Sequence, residues 1–136
     1  MAAHPGTSQE VDGLTIYLAI IPAAFVLDHP SEHTGRYLHG NASGDRYAHH
    51  LIVALFDSAT GNRITNAVVT AIVTGGLHPS QGPIQLGPMT IGGAQAYGGF
   101  ASLPPRDRYR IEIEVVRPAA TAVRATFAHQ HLQPQP

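Results

Sequence analysis

The sequence predicts an all-β domain, an antiparallel β-sandwich of the immunoglobulin or cupredoxin type with about seven strands. Three observations predict it: apolar runs are short or alternate with period two, turn residues separate them, and no stretch has the period of an amphipathic helix. The 136 residues suit one domain, and a hydrophobic share of 43% is enough for a core. We predict strands over residues 13–21, 50–56, 67–73, 84–91, 97–103, 109–116 and 122–129.

The first three strands are predicted from runs of β-branched and other apolar residues with clear ends. The run over 13–21 is closed by Pro22, which cannot donate to a sheet ladder. Residues 50–56 are apolar enough for a buried strand. Turn-forming residues follow over 57–62, so we expect the chain to return as the next strand over 67–73.

The remaining four strands are predicted from alternation and from breaks in the pattern. The strand over 84–91 is broken by two glycines at 92–93, and an extended segment follows over 97–103. Residues 109–116 alternate between apolar and charged side chains, which is typical of a strand with one face in the core. The last strand, 122–129, also has apolar residues on one face.

The chain is predicted to hold one domain with a short extension at each end. Residues 1–10 are small and polar and read as a flexible arm, residues 11–131 form the domain, and residues 132–136 form a tail. Residues 29–48 lose all periodicity, which predicts a long loop. Loops of that length in compact domains are usually functional or disordered.

Composition excludes several partners and chemistries. Only 12% of residues are charged and the formal net charge is −1, so nothing attracts nucleic acid or an anionic membrane. The absence of cysteine excludes disulfides, thiolate metal sites and a thiol nucleophile. The longest nearly apolar run, 14–27, is shorter than the roughly 20 residues of a membrane-spanning helix. The first residues have no signal-peptide pattern, which fits either a cytosolic protein or an exported chain without its leader.

No enzyme motif is present, and we expect no catalysis. The Gly-x-Ser-x-Gly turn, the phosphate-binding loop and the His-Glu-x-x-His helix are all missing. Glu112 and Glu114 share a strand face, but it is the face predicted to contact water.

Nine histidines, against two methionines and no tryptophan, are the unusual feature of the composition. Histidine is the commonest metal ligand, and five histidines lie where strand ends could bring them together. His39 lies in the long loop, and His129 and His131 form a His-x-His pair at the end of the last strand. His49 and His50 open an apolar strand and point to opposite faces, and the sequence leaves open which one faces inward.

The other four histidines are not among the predicted ligands. His29 and His33 have the spacing of a two-histidine helical clip, but Pro30 and the lack of apolar periodicity argue against that helix. His4 lies in the arm and His78 in a loop, and both are expected to be solvated.

Met89 follows a proline in a strand that breaks soon afterwards, and a core methionine is its ordinary interpretation. A thioether beside imidazoles, without thiolates, would suit copper, because methionine is soft and selects Cu(I).

The chain resembles the small periplasmic metal-binding proteins that accompany bacterial iron permeases in iron uptake and bind copper. The resemblance begins with the stretch Val-Asp-Gly-Leu-Thr-Ile-Tyr-Leu at 11–18. Its most specific part is Leu-Gly-Pro-Met at 86–89 followed by Tyr-Gly at 97–98, similar to that family's Leu-x-Pro-Met and Tyr-Gly elements. Residues 109–111 are similar to the family's next strand, and the whole likeness covers roughly 11–128.

The resemblance implies an immunoglobulin-like sandwich, usually a homodimer, and an exported protein. It also implies a copper site built from one methionine and several histidines, in which Met89 matches the methionine and His39 an early histidine.

The sequence departs from that family at the copper site. The family has a histidine immediately before Tyr-Gly, where this chain has Ala96, and its later Gly-Arg-His element is missing. Either other histidines replace these ligands or the site is lost; the candidates are His49, His50, His129 and His131.

We therefore predict a periplasmic protein that binds copper, or iron in a transport role, for delivery to a membrane metal permease or another recipient protein. The ligand set comprises His39, His50 and Met89, with His49, His129 and His131 in reserve. One alternative is a metal-free interaction module whose edges or long loop bind another protein. Another is an enzyme with a mononuclear copper or iron centre, for which the sequence shows no substrate pocket.

Overall fold

A computed structural model describes residues 7–22 and 47–131, which form eight antiparallel strands and, within those two ranges, no helix. The strands are β1 (Ser8–Val11), β2 (Leu14–Pro22), β3 (Ala48–Asp57), β4 (Val68–Gly75), β5 (Gln81–Ile91), β6 (Ala94–Ser102), β7 (Asp107–Val116) and β8 (Val123–His131). Within these ranges no helix has the length and hydropathy needed to cross a membrane.

The all-β antiparallel class predicted from the sequence is confirmed, but the strand number is not. The seven predicted strands correspond to β2–β8, and β1 is the eighth. β1 lies mostly within the residues that the sequence analysis assigned to an arm, and it pairs with β2 from Ser8 opposite Tyr17 to Val11 opposite Leu14. Its sequence, Ser-Gln-Glu-Val, has no apolar run, so only its pairing with β2 makes it a strand.

The predicted sandwich is not confirmed, because the strands form one continuous sheet in the order β1-β2-β3-β6-β5-β4-β7-β8. β5 joins the two halves of this sheet. Its first part, through Leu86, pairs with β4, and its second part, from Gly87, pairs with β6. A Cβ at Gly99 would lie 2.9 Å from the Leu86 side chain, so a glycine lets β6 approach β5 closely where β5 changes partner.

The predicted return of β3 into β4 as neighbouring strands is wrong. β3 pairs with β2 and β6, and after the turn a single bridge, Phe56 opposite Arg63, continues the pairing. The chain then crosses to the other half of the sheet. The buried Tyr97 hydroxyl holds this crossing, because it donates to the Ile64 carbonyl at 3.0 Å and accepts from the Ala67 amide at 3.2 Å.

One hydrophobic core lies inside the curled sheet and takes side chains from β2 to β8. Period-two alternation supplies it: in β7, for example, Ile111 and Ile113 are fully buried while Glu112 between them is exposed. The two edge strands approach each other, and the Gln9 side chain donates to the Thr126 carbonyl across the gap.

Replacing Tyr97 by phenylalanine should destabilise the fold while keeping its shape. The substitution removes one hydroxyl that serves two backbone groups in a buried setting, which should cost about 1–3 kcal/mol. Urea unfolding of Tyr97→Phe measures this. Tyr17→Phe, at a half-exposed tyrosine, is the control and should change stability by less than about 0.5 kcal/mol. Equal effects of the two variants would contradict the role assigned to Tyr97.

Candidate functional site

Histidines gather at one end of the curled sheet because several strands begin or end there. His49 is the second residue of β3 and lies opposite Pro22, the last residue of β2. The last residues of β8 lie at the same end of the sheet, where His129 pairs with Tyr109 of β7. We call this end, with His78 from the β4–β5 loop, the histidine end.

The structure brings His49 and His129 together. Their ring centres are 6.4 Å apart with an angle of 62° between the planes. His49 lies on the face of the main core and is only 3% exposed, while His129 is half-buried. The question of which neighbouring histidine faces this core is thereby answered in favour of His49.

A hydrogen bond fixes the protonation of the His49 ring. Nδ1 of His49 lies 2.6 Å from the carbonyl oxygen of Tyr47. A carbonyl can only accept, so Nδ1 carries the hydrogen and the neutral ring has its lone pair at Nε2. Metal-binding histidines are commonly oriented by a hydrogen bond of this kind from the other ring nitrogen.

His50 lies on the opposite face of β3. It is fully buried, and its ring stacks on that of its register partner Phe100, with centres 4.7 Å apart and planes 21° from parallel.

Met89 lies on the same outer face as His50 but is surrounded by apolar side chains. It is 3% exposed and forms a small cluster with Ile52 and Ala96, against which Ile21 and Ile91 pack. Its register partner is Ala96, so a methyl group stands directly across the ladder from the thioether. Among the residues described, Met89 therefore has the surroundings of a core methionine.

The structure does not bring His50 and Met89 to one site. Their partners on β6, Phe100 and Ala96, are four residues apart, or roughly 13 Å along the strand. β6 also lies between the strands that carry them, which adds two spacings of about 4.8 Å. The two side chains are too far apart to share one metal ion.

Two other predicted ligands are placed as follows. His131 is the last residue of β8 and the register partner of Asp107. His39 lies outside the described residues, as do His4, His29 and His33.

The sequence prediction missed Asp107 and its hydrogen bond with His78. The Asp107 side chain is buried and accepts four hydrogen bonds: from the backbone amides of Gly76 (3.0 Å), Leu77 (3.0 Å) and Arg108 (2.7 Å), and from Nδ1 of His78 (2.6 Å). The signal was present, since Asp107 continues the inward alternation of β7 and a carboxylate on a core face needs partners.

The environment shifts two pKa values at this end of the sheet. Burial acts to raise the pKa of Asp107, but the hydrogen bonds from His78 and the three amides outweigh it and lower that pKa to about 2. Burial, and then the negative charge of Asp107, raise the pKa of Tyr109 to about 12. The Tyr109 hydroxyl therefore stays protonated and donates to the Pro104 carbonyl at 2.6 Å.

Metal donors are present as pairs. Within residues 7–22 and 47–131, no group of three or more His, Cys, Asp or Glu side chains could hold a metal ion. The apolar cluster around Met89 does not fit copper, because the Met89 thioether is its one donor and the residue opposite it is Ala96, which has no ligand atom in its side chain. The pair of His49 and His129 offers two imidazoles and fits a two-nitrogen site.

Comparisons with known proteins identify fold relatives. No protein-family profile matches this chain, and no curated protein matches it in sequence. A DUF4426 family protein from Pseudomonas aeruginosa PAO1 has a similar structure, with a TM-score of 0.74 and 14% identity over 94% of this chain and 95% of that one. A copper-bound variant of P19 from Campylobacter jejuni is also similar, with a TM-score of 0.68 and 13% identity over 96% of this chain and 98% of that one. At these identities the likeness shows the fold alone, so the chain has a P19-like all-β fold.

Asp107→Asn should lower stability in a pH-dependent way. The folded-state pKa is about 2 and the unfolded value about 3.9, so the carboxylate stabilises the fold above about pH 4 and loses that effect as pH falls toward 2. We expect the gap in melting temperature between the wild type and Asp107→Asn to be widest near neutral pH and to shrink from pH 4 to pH 2. Thermal unfolding followed by circular dichroism measures it, and a gap of constant size would contradict the assignment.

Proposed function

We propose that this protein binds copper as a cargo ion and that His49 and His129 hold it at the histidine end of the sheet. The observation that carries the proposal is the approach of these two imidazoles, from strands β3 and β8, to 6.4 Å between ring centres. The protein would buffer or deliver the ion without catalysing a reaction.

The spacing of the two rings suits two-nitrogen coordination. A metal–nitrogen bond is about 2 Å long, and the ring centre lies roughly 1 Å beyond the nitrogen. Two imidazoles on opposite sides of one ion therefore have centres about 6 Å apart, close to the separation found. Imidazole accepts copper in either oxidation state, so this pair does not require the thioether of Met89.

The surroundings of His49 support the same proposal. The Tyr47 carbonyl fixes the ring with its lone pair at Nε2, the form that can donate to a metal without losing a proton. Burial of His49 limits the competition of water for that nitrogen. The sequence offers two candidates for a further donor, His131, two residues beyond His129, and His39.

The fold likeness and the family resemblance support copper rather than another metal. The P19 variant with the similar fold is copper-bound, and the resemblance in sequence is to copper-binding proteins of iron uptake. An exported protein, a homodimer and a recipient such as a membrane metal permease are parts of this proposal that come from the resemblance. Iron is the alternative cargo.

A specific observation favours a second candidate function, a metal-free interaction module. The position that carries a histidine in the resembling family is Ala96, packed with Met89 in an apolar cluster. A chain that has lost copper could keep the sheet as a scaffold for binding another protein.

Copper titration of ligand variants distinguishes the two functions. His49→Gln and His129→Gln should each lower copper affinity about tenfold or more, since each removes one of two nitrogen donors. Met89→Leu and Gln130→Ala are matched controls, the first in the apolar cluster and the second at the exposed residue beside His129, and both should bind as the wild type does. The affinities come from competition with chelators for Cu(I) and for Cu(II). A wild type that binds no copper would favour the interaction module, and a selective loss of Cu(I) binding in Met89→Leu would place the ion at Met89 instead.

Copper affinity should also fall as the pH drops through the histidine range. Imidazole must be neutral to bind a metal, and its ordinary pKa is about 6.5, whereas carboxylates stay ionised down to about pH 4. The competition titration repeated from pH 7.5 to pH 5 checks this. Affinity that stays constant over that range would mean that histidines are not the ligands.

A further inference from the structure

We propose that His78, held by Asp107, is the first contact for the metal, a solvent-facing ligand at the rim of the histidine end. The metal contact of His78 stands on its own geometry, and onward transfer to His129 and His49 rests on the proposed function. Neither the sequence pattern nor the family resemblance assigns His78 a role.

The hydrogen bond to Asp107 presents one nitrogen of His78 to solvent. Nδ1 of His78 lies 2.6 Å from Oδ2 of Asp107, and that carboxylate, ionised at neutral pH, can only accept. In the neutral ring the lone pair is therefore at Nε2. The His78 side chain is 33% exposed and that of Asp107 only 3%, so the carboxylate orients the ring from below while the ring meets the solvent.

Asp107 is a rigid support for this histidine. Its two oxygens also accept from the amides of Gly76, Leu77 and Arg108, so its position is fixed by β7 and by the loop that carries His78. A Cβ at Gly75 would lie 2.5 Å from Oδ2, which shows how closely the backbone encloses the carboxylate. Carboxylate–histidine pairs of this kind orient metal ligands.

The rings at this end form a row that leads inward from His78. The His78 ring stacks on Tyr109, with centres 6.3 Å apart and planes 23° from parallel. Tyr109 is the register partner of His129, and the His129 ring is 6.4 Å from that of His49. His78 and His129 are both half-buried, whereas Tyr109 between them and His49 at the inner end of the row are buried. The Tyr109 hydroxyl donates to the Pro104 carbonyl, and the next imidazole along the row is that of His129, the register partner of Tyr109.

The test uses paramagnetic broadening of histidine ring signals by substoichiometric Cu(II), added to the full chain. We expect the His78 ring signals to broaden in the wild type and also in the double variant His49→Gln/His129→Gln. His78→Gln, added to the double variant, keeps a side-chain donor for Asp107 but removes the last of these imidazoles, so the broadening of Tyr109 next to it should disappear. Asp107→Asn should weaken copper binding at His78 about 10- to 100-fold, because the ring loses the carboxylate that orients it.

The outcomes separate this inference from the proposed function. Broadening at His49 and His129 with none at His78 would overturn the rim ligand and leave the proposed function standing. Broadening at His78 alone would support His78 as a ligand and count against copper binding by His49 and His129. Binding at His78 that is unchanged in Asp107→Asn would overturn the inference, because any exposed histidine would then do the same.

A kinetic measurement tests the transfer step. Stopped-flow mixing with Cu(II) should show slower loading of His49 and His129 in His78→Gln than in the wild type. Equal loading rates would overturn the role of His78 as first contact.

Discussion

The buried carboxylate of Asp107 is the interaction on which the histidine end of this molecule depends. A charge on the core face of a strand is costly unless hydrogen bonds compensate it, and Asp107 has four. Three come from the β4–β5 loop and one from its own strand, so the carboxylate ties the loop to the start of β7. The orientation of His78 follows from this arrangement, and the charge of Asp107 adds to burial in raising the pKa of Tyr109. Substituting Asp107 should therefore disturb the loop and the histidine together.

The two faces of the sheet separate the apolar surroundings of Met89 from the proposed ligands His49 and His129. Met89 and Ala96 face each other across a ladder on the outer face, where Ile52 completes an apolar cluster. A histidine at position 96 would stand directly opposite the thioether of Met89. This chain has Ala96 there, so the cluster contributes only apolar packing. His49 and His129 instead share the inner face, because both follow the alternation of core residues in their strands. The chemistry that the described residues support thus lies on the other side of the sheet.

The sequence predicted the features that depend on local pattern, and it missed those that depend on contacts between residues far apart in the chain. Alternation in 109–116 placed β7 correctly, and period two alone put His49 and His50 on opposite faces. Pattern does not tell which strands are neighbours, so the predicted return of β3 into β4 failed, and β1 is a strand only because β2 pairs with it. The contact between His78 and Asp107 was missed for the same reason, because the two residues lie 29 positions apart in the sequence.

The most direct test of the account is the position of copper in crystals of the copper-loaded protein, located by anomalous diffraction at the copper absorption edge. Copper held by His49 and His129 should give a peak between their rings, about 2 Å from Nε2 of His49 and from a ring nitrogen of His129. A peak beside the sulfur of Met89, or no copper at the histidine end of a loaded crystal, would contradict it.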